Sequence, residues 1–274
     1  MDKLLEKKIK NLKNYITSLD SAVVAFSGGV DSTFLLKLSS DILKDKVVAV
    51  TAKSSTFPQF ELEDSETLAR ELGVKQVTIE TNELKNKKFS SNDKERCYWC
   101  KNELFELISN FAKKNNFKYI LDGSNYDDIS DFRPGAKAAK KWEVLSPLRQ
   151  AGLTKEEIRT ASKVLGLPTW DKPAAACLAS RIPYGTKITE DLLQKISRAE
   201  SALKKLGFRQ VRVRHHGNIA RIELPTHDFP KILDGKIKNS VIKSLKELGY
   251  LYITLDIEGY TTGSMNKALN LNKK

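Results

Sequence analysis

The stretch A-F-S-G-G-V-D-S, residues 25–32, decides the fold of this chain. The residues that lead into it, S-A-V-V-A-F (21–26), have the apolar character of a short buried strand. The residues that follow, S-T-F-L-L-K-L-S-S-D-I-L (32–43), repeat apolar side chains with the period of an amphipathic helix. A glycine-rich turn between a strand and a helix is typical of a phosphate-binding loop.

Each residue type in this loop has a physical role. Gly28 and Gly29 let the backbone approach an anion closely, and the helix that starts near Asp31 directs its free amide groups at that anion. Ser27 and Ser32 add hydroxyl donors. The kinase-type pattern G-x-x-x-x-G-K-[ST] does not occur in the sequence. We therefore expect a phosphate loop of another class at the end of the first strand.

Strands and helices alternate along the first 175 residues. Strands are predicted at 46–52, 75–80 and 118–123, and helices at 3–19, 63–73 and about 93–115. This alternation predicts an α/β domain with a doubly wound parallel sheet. In such sheets ligands bind beyond the carboxyl ends of the strands, which is where the loop at 27–32 emerges.

The sequence changes character in its second half. A helix at 154–166 begins with Thr154 and Glu157 at capping-box spacing. Beyond it the predicted elements are a helix at 189–206, strands at 209–216 and 218–224, two more helices and a strand at 252–257. This order predicts a second, smaller α+β domain at 180–274, after a first domain at 1–175.

The charge distribution favours a localised anion site. The formal net charge is +13, and six of the eleven arginines fall between Arg181 and Arg221. Arginine is the better bidentate ligand for phosphate, whereas lysines spread along a chain are usually solvated. We therefore expect a bound phosphate group and no nucleic-acid partner.

The remaining properties of the whole sequence bear on where in the cell the protein is expected. No run approaches the ~20 apolar residues of a membrane span, and the first residues, M-D-K-L-L-E-K-K, lack an apolar signal-peptide core. Three cysteines cannot form a disulfide framework, which suits a reducing compartment. We expect a cytoplasmic protein.

The motifs along the chain resemble those of one family. They are S-G-G-V-D-S (27–32), L-D-G-S-N-Y-D-D (121–128), D-F-R-P-G-A-K-A (131–138), A-S-R-I-P-Y-G-T (179–186), V-R-V-R-H-H (211–216), A-R-I-E-L-P (220–225) and Y-I-T-L-D-I-E-G-Y-T-T-G-S-M-N (252–266). The first resembles the loop of the PP-loop ATP pyrophosphatases, which have a HUP-like α/β fold. The whole set is similar to that of the LarE sulfur transferases.

The resemblance implies a reaction. Such enzymes use ATP with Mg²⁺ to adenylylate a carboxylate of pyridinium-3,5-biscarboxylic acid mononucleotide, and then convert it to a thiocarboxylate for the nickel-pincer nucleotide cofactor. Sulfide or another sulfur donor would supply the sulfur. The resemblance also implies a homo-oligomer, which we expect to form through the second domain.

The three cysteines permit four interpretations. Cys97 and Cys100 form a C-x-x-C pair, and Cys177 is the third. In the sacrificial LarE enzymes the sulfur-donating cysteine falls on the position of Ala176 here, so this chain departs from that pattern. A redox dithiol, a zinc site and ordinary buried cysteines remain as alternatives. We prefer a [4Fe–4S] cluster held by all three cysteines, because similar sulfur transferases use three-cysteine sites whose open iron carries a sulfide.

Several basic and polar residues are candidates for anion binding. Lys101 and Arg181 are expected to contact phosphates, and Ser180 is expected to add a hydrogen bond. Together with Asp31 and Cys177, Lys101 and Arg181 are the expected catalytic residues. Arg212 and Arg214 alternate along a strand, so both can address one anion. The alternative for this arginine pair is a solvated strand face.

Two acidic residues resemble substrate or metal carboxylates of the family. They are Glu200, for which an ordinary helix-surface position is the alternative, and Asp228. Two rival functions remain, a tRNA thiolase with the same cluster chemistry and a non-catalytic iron–sulfur sensor. The absence of an added RNA-binding module argues against the first, and the phosphate loop argues against the second.

Overall fold

The computed structural model describes residues 2–129, 134–173, 176–261 and 263–266. The chain divides into two compact units. Unit 1 comprises Met1–Glu83 and Glu95–Ala175, and unit 2 comprises Leu84–Lys94 and Ala176–Lys274. The segment Leu84–Lys94 thus belongs with the carboxyl-terminal part of the chain. Three residues of the motif at 131–138 lie outside the described residues.

The regular elements follow in chain order. The helices are α1 (Lys3–Thr17), α2 (Val30–Leu43), α3 (Gln59–Glu71), α4 (Lys87–Ser90), α5 (Arg96–Lys114), α6 (Gly135–Lys141), α7 (Pro147–Gln150), α8 (Lys155–Val164), α9 (Glu190–Lys205), α10 (Phe229–Leu233) and α11 (Gly235–Glu247). The strands are β1 (Ala22–Ala25), β2 (Val47–Lys53), β3 (Gln76–Glu80), β4 (Tyr119–Leu121), β5 (Arg212–His216), β6 (Ile219–Glu223) and β7 (Tyr252–Leu255).

Unit 1 contains a parallel sheet in the order β3-β2-β1-β4. Side chains of β1 alternate between two apolar layers: Ala22 and Val24 face the layer formed with α1, α2 and α8, and Val23 faces the layer formed with α5 and α6. Because a parallel strand buries both of its faces, helices must cover both sides of the sheet. The predicted doubly wound α/β fold is confirmed.

Unit 2 contains a smaller mixed sheet in the order β5-β6-β7. Strands β5 and β6 pair antiparallel across the turn at Gly217 and Asn218, and β6 and β7 pair parallel. Its core joins the sheet to α9 through Ala199 and Leu203, and to α11 through Val241 and Leu245. The expected smaller α+β architecture is therefore present.

Some boundaries differ from those predicted. The helix predicted from residue 63 begins at Gln59, because Pro58 fixes an extended backbone at its amino end. The strand predicted from residue 209 begins at Arg212. The short helices α4, α6 and α7 were not predicted, since four to seven residues carry too little periodic signal. No helix of the described chain is both long and apolar enough to cross a membrane.

Candidate functional site

The loop between β1 and α2 has the backbone of an anion site. Gly28 has φ +65°, and a Cβ atom there would lie 3.1 Å from Ser65 Cβ and 3.2 Å from Ser65 Cα. Only glycine fits both the conformation and the contact. Gly29 caps α2, and no side chain of the described residues caps the amides of its first turn. Those amides can therefore donate to a bound anion.

Ser32 holds this loop together. Its hydroxyl lies 3.2 Å from Ser27 Oγ and donates to Gly29 O at 3.2 Å, and Ser27 N donates to it at 3.4 Å. The end of β4 packs against the same residue, because a Cβ atom on Gly123 would lie 3.0 Å from Ser32 N. The carboxyl ends of β1 and β4 therefore meet at the loop.

Asp31 has one oxygen engaged and one available. Its Oδ2 accepts from Lys155 Nζ at 2.7 Å and from Asn125 Nδ2 at 3.3 Å. Its Oδ1 is buried and has no hydrogen-bond partner in the part of the chain that the structure describes. A buried carboxylate oxygen without a donor suits a hard cation such as Mg²⁺, which prefers oxygen ligands. The residues at this loop thus fit the expected Mg²⁺.

The motif at 121–128 explains how Asp31 is positioned. Asp122 accepts from Ser146 Oγ at 2.7 Å, which fixes the start of the motif. Asn125 reaches Asp31, and Asp127 accepts from the backbone amide of Lys155 at 2.8 Å. Sequence reasoning recognised this motif but did not select Asn125 or Lys155 as site residues. The available signal was the cluster of polar residues directly after a parallel strand.

Lys101 lies elsewhere in unit 1, on α5. Its side chain passes over Gly135, where a Cβ atom would lie 2.5 Å from Lys101 Cδ. Its ammonium lies 5.7 Å from the centre of the Phe105 ring. Gly135 thus leaves room for the aliphatic part of this lysine.

The cysteines divide between the two units. Cys97 and Cys100 lie on the first turns of α5, three residues apart and so on one face of the helix. Cys97 is exposed and Cys100 half-buried, with Cys100 Sγ donating to Glu83 Oε1 at 3.6 Å. Cys177 belongs to unit 2 and directly precedes the turn Leu178–Arg181. The described residues contain no group of three or more His, Cys, Asp or Glu side chains arranged to bind one metal ion.

Arg181 and Glu200 form a buried pair in unit 2. Arg181 Nε donates to Glu200 Oε1 at 2.8 Å and Nη2 donates to Oε2 at 2.9 Å. Nη1 of the same arginine donates to Ala176 O, Cys177 O and Ser180 Oγ at 2.6, 3.0 and 2.9 Å. Glu200 is therefore not a helix-surface residue, and that alternative is wrong.

Arg212 and Arg214 lie on β5 close to this pair. Both are buried, each with 5% of its surface exposed, so the alternative of a solvated strand face is also wrong. Arg214 donates to Glu223 Oε2 at 2.7 Å and to Ser180 O at 3.0 Å. Burial lowers the pKa of Arg212, and the nearby charge of Arg181 lowers it further. Repulsion between guanidinium groups is relieved when an anion binds.

Asp228 lies in the short turn that precedes α10. Its Oδ2 atom is 4.0 Å from His227 Nε2, and its side chain is one-fifth exposed. Of the residues predicted for unit 2, the structure joins Ser180, Arg181, Glu200 and Arg214 by hydrogen bonds.

Comparison with known proteins finds relatives whose sequences match this chain through both units. A family model described as NAD synthase matches residues 4–118. An uncharacterized protein of Synechocystis is 42% identical over 97% of this chain and 99% of its own length. The pyridinium-3,5-bisthiocarboxylic acid mononucleotide synthase of Lactiplantibacillus plantarum is 37% identical over 97% of this chain and 96% of its own length.

A more distant relative also matches most of the chain. An uncharacterized protein of Methanocaldococcus jannaschii is 29% identical over 93% of this chain and 94% of its own length. Likeness to the synthase of L. plantarum likewise extends through both units. The chain is an enzyme of the PP-loop ATP pyrophosphatase class and belongs to the LarE-type family that includes pyridinium-3,5-bisthiocarboxylic acid mononucleotide synthase.

Proposed function

We propose that this enzyme is an ATP-dependent sulfur transferase. It adenylylates a carboxylate of pyridinium-3,5-biscarboxylic acid mononucleotide and converts it to a thiocarboxylate for nickel-pincer nucleotide synthesis. The observation that carries the proposal is the 37% identity to a synthase of this type over nearly the full length of both chains. The geometry of the loop at 27–32 supports the ATP-dependent step.

The first step activates a poor electrophile. A carboxylate oxygen of the substrate attacks the α-phosphorus of ATP, the bond to the bridging oxygen breaks, and pyrophosphate leaves with that electron pair. The free amides at the start of α2, with the hydroxyls of Ser27 and Ser32, would hold the departing phosphates. Asp31 would hold Mg²⁺ through Oδ1, and the ion would neutralise charge on the phosphates. Lys101 is proposed as a further phosphate contact.

Unit 2 is proposed to bind the mononucleotide. Three buried arginines lie close together, at positions 181, 212 and 214, and Arg181 and Arg214 pair with the buried carboxylates Glu200 and Glu223. A phosphate or carboxylate group would offset the repulsion that Arg212 experiences from the other two arginines, and arginine is suited to both anions.

Glu200 and Asp228 are the acidic residues proposed to face the substrate. Arg181 is still proposed as a catalytic phosphate contact, and it would also position Glu200, because its guanidinium ties that carboxylate to the backbone at Ala176 and Cys177. The expected assembly of identical chains through unit 2 also belongs to this proposal.

Sulfur is proposed to enter through the cysteines. Cys97, which is exposed, and Cys100, which is half-buried, lie on one helical face and are proposed as two ligands of a cluster, with Cys177 of unit 2 as the third. A [4Fe–4S] cluster held by these three cysteines would supply the sulfur for the second step as sulfide. The sulfur would attack the carbonyl carbon of the acyl-adenylate, and AMP would leave.

The test supplies ATP, Mg²⁺, sulfide and the biscarboxylic acid mononucleotide to the anaerobically purified protein. The proposal expects AMP and pyrophosphate to form only with the mononucleotide, together with a product in which sulfur has replaced oxygen. The mass spectrum of the nucleotide measures this exchange. Thiolation of tRNA without conversion of the mononucleotide would instead support a tRNA thiolase, and absence of AMP in both reactions would refute a transferase.

A further inference from the structure

Arg214 and Arg221 lie directly opposite each other on β5 and β6. Opposite residues of an antiparallel pair project their side chains from the same face of the sheet, with Cβ atoms about 4.5–5.5 Å apart. The adjacent residues Val213 and Ile222 belong to the apolar core of unit 2, so the two arginines lie on the other, polar face. Arg221 belongs to the motif A-R-I-E-L-P at 220–225. This motif therefore places a second arginine beside Arg214.

The carboxylate of Glu223 holds both guanidinium groups. Arg214 Nη2 donates to its Oε2 at 2.7 Å, and Arg221 Nη2 donates to its Oε1 at 3.1 Å. Glu223 is fully buried, and the hydroxyl of Ser264 donates to it at 2.8 Å. Asp256 Oδ2 lies 3.4 Å from Arg221 Nη1. The carboxylates thus offset the repulsion between the arginines and fix the orientation of their guanidinium groups.

Each of the two arginines nevertheless has a donor without an acceptor. The Nε atoms of Arg214 and Arg221 are buried and have no hydrogen-bond partner in the part of the chain that the structure describes. In Arg181 the same edge of the guanidinium is fully used, because Nε and Nη2 both donate to Glu200. A buried N–H group without an acceptor is unfavourable, since its desolvation is not compensated. The paired Nε–H groups therefore indicate an acceptor that binds from solution.

A carboxylate is the acceptor that suits this arrangement. Its two oxygens can accept parallel hydrogen bonds from the edge of a guanidinium group. A doubly charged phosphate would be repelled more strongly by Glu223 and Asp256, which already contact the arginines. The side chain of Arg221 is 32% exposed, so a small rotation brings its Nε–H group to a molecule from solution.

We propose that Arg221, together with Arg214, binds the second carboxylate of the mononucleotide, the one that is not being activated. The inference rests on the proposed function and deepens it, because it names a residue that selects a substrate with two carboxylates. Arg214 is two residues from Arg212 on β5 and opposite Arg221 on β6. The phosphate and the second carboxylate of one ligand can therefore bind on either side of Arg214.

The test measures the binding of two nucleotides by calorimetry. One is pyridinium-3,5-biscarboxylic acid mononucleotide, and the other is nicotinamide mononucleotide, which has the same ribose phosphate but an uncharged carboxamide and no carboxylate. The variants are Arg221→Gln and Arg221→Lys, with Arg198→Gln, at an exposed position of α9, as the matched control. We expect Arg221→Gln to weaken binding of the biscarboxylic acid roughly ten- to a hundredfold, the usual range for hydrogen bonds to a charged group. Arg221→Lys should restore little of this affinity, because an ammonium lacks the guanidinium edge. Nicotinamide mononucleotide should bind equally to all four proteins.

Two results would overturn the inference. One is wild-type affinity for the biscarboxylic acid mononucleotide in Arg221→Gln. The other is an equal loss of affinity for both nucleotides, which would assign Arg221 to the phosphate or to the shape of the site. Circular dichroism and the melting temperature of each variant establish that it is folded. Failure of the proposed function looks different: the wild-type protein would bind the biscarboxylic acid mononucleotide through Arg221 yet leave it unconverted.

Discussion

The guanidinium of Arg181 and the carboxylate of Glu200 form two parallel hydrogen bonds in unit 2: Nε donates to Oε1 at 2.8 Å and Nη2 donates to Oε2 at 2.9 Å. The backbone amide of Val213 on β5 donates to the same carboxylate at 3.0 Å. Glu200 therefore joins three elements: its own helix α9, the turn that carries Arg181, and the strand that carries Arg212 and Arg214. The anion site of unit 2 depends on this carboxylate for its shape.

Replacing Glu200 by Ala should destabilise the protein strongly. The change leaves the Arg181 guanidinium buried without its counter-charge, which typically costs about 3–5 kcal/mol. Urea unfolding, followed by circular dichroism, measures the free energy of unfolding. Glu190→Ala, on the exposed first turn of the same helix, serves as the control. A Glu200→Ala protein as stable as the wild type would show that the pair does not hold the site.

Asp31→Ala should abolish adenylylation and leave the fold intact. The residue lies in the first turn of α2, and its Oδ1, which has no protein donor among the described residues, is the proposed Mg²⁺ ligand. Its Oδ2 accepts from Asn125 and from the partly exposed Lys155, and the loss of these two contacts at the end of the sheet should cost far less stability than the loss of a core residue. Formation of AMP measures the effect, and Asp41→Ala on the same helix is the control. Adenylylation at the wild-type rate in Asp31→Ala would remove this loop from the ATP site.

Arg212→Ala and Arg214→Ala should each lose most of the activity. Lysine should rescue either position poorly, because a single ammonium cannot reproduce two parallel hydrogen bonds. Arg214→Ala should also lower stability, since Glu223 is fully buried and loses a partner at 2.7 Å. Steady-state kinetics with the mononucleotide test the first expectation. Unchanged kinetics in both alanine variants would place the substrate phosphate elsewhere.

The cysteine variants decide how sulfur is delivered. With a cluster, the anaerobic protein should be brown and contain about four irons per chain. Changing Cys97, Cys100 or Cys177 to Ala should bleach it and stop sulfur transfer, yet the acyl-adenylate should still form. Absorption spectra, iron analysis and AMP formation measure these effects. A colourless protein that acquires dehydroalanine at position 177, with the other two cysteines dispensable, would establish a sacrificial mechanism instead.

Stability should fall when the protein is acidified. Burial lowers the pKa of His215, with Lys195 adding to it, and burial and then Arg221 lower the pKa of His216. As the pH falls, these histidines therefore take up protons in the unfolded chain at a higher pH than in the folded protein, near the ordinary pKa of about 6.5. Their contribution to stability is present above that pH and is lost as the pH falls through the lowered values.

Urea unfolding at a series of pH values tests this expectation. His215→Gln should reduce the loss of stability between neutral and mildly acidic pH, and His227→Gln, at an exposed position, should not change it. A His215→Gln protein with the full wild-type dependence on pH would contradict the prediction.

Local signals allowed much of the fold to be predicted. The glycine-rich turn at 27–32 and the capping box of Thr154 and Glu157 depend on residues at most a few positions apart, and the structure contains both. The spacing of apolar residues likewise predicts the alternation of β1 to β4 with helices. Residues 84–94 gave no such signal. Asn92, which is fully buried, donates to Pro183 O and Thr186 O, so that this segment belongs to unit 2.

The sequence by itself determined the fold class, the phosphate loop and the family to which the chain belongs, because short-range patterns and motifs carry that information. Only the tertiary structure decided the partners of the charged residues. Lys155 is 124 residues from Asp31, and Glu200 is 19 residues from Arg181. An arginine or lysine in a sequence has the same formal charge whether it is solvated or buried. Its partner follows from the packing of distant elements, which no local period encodes.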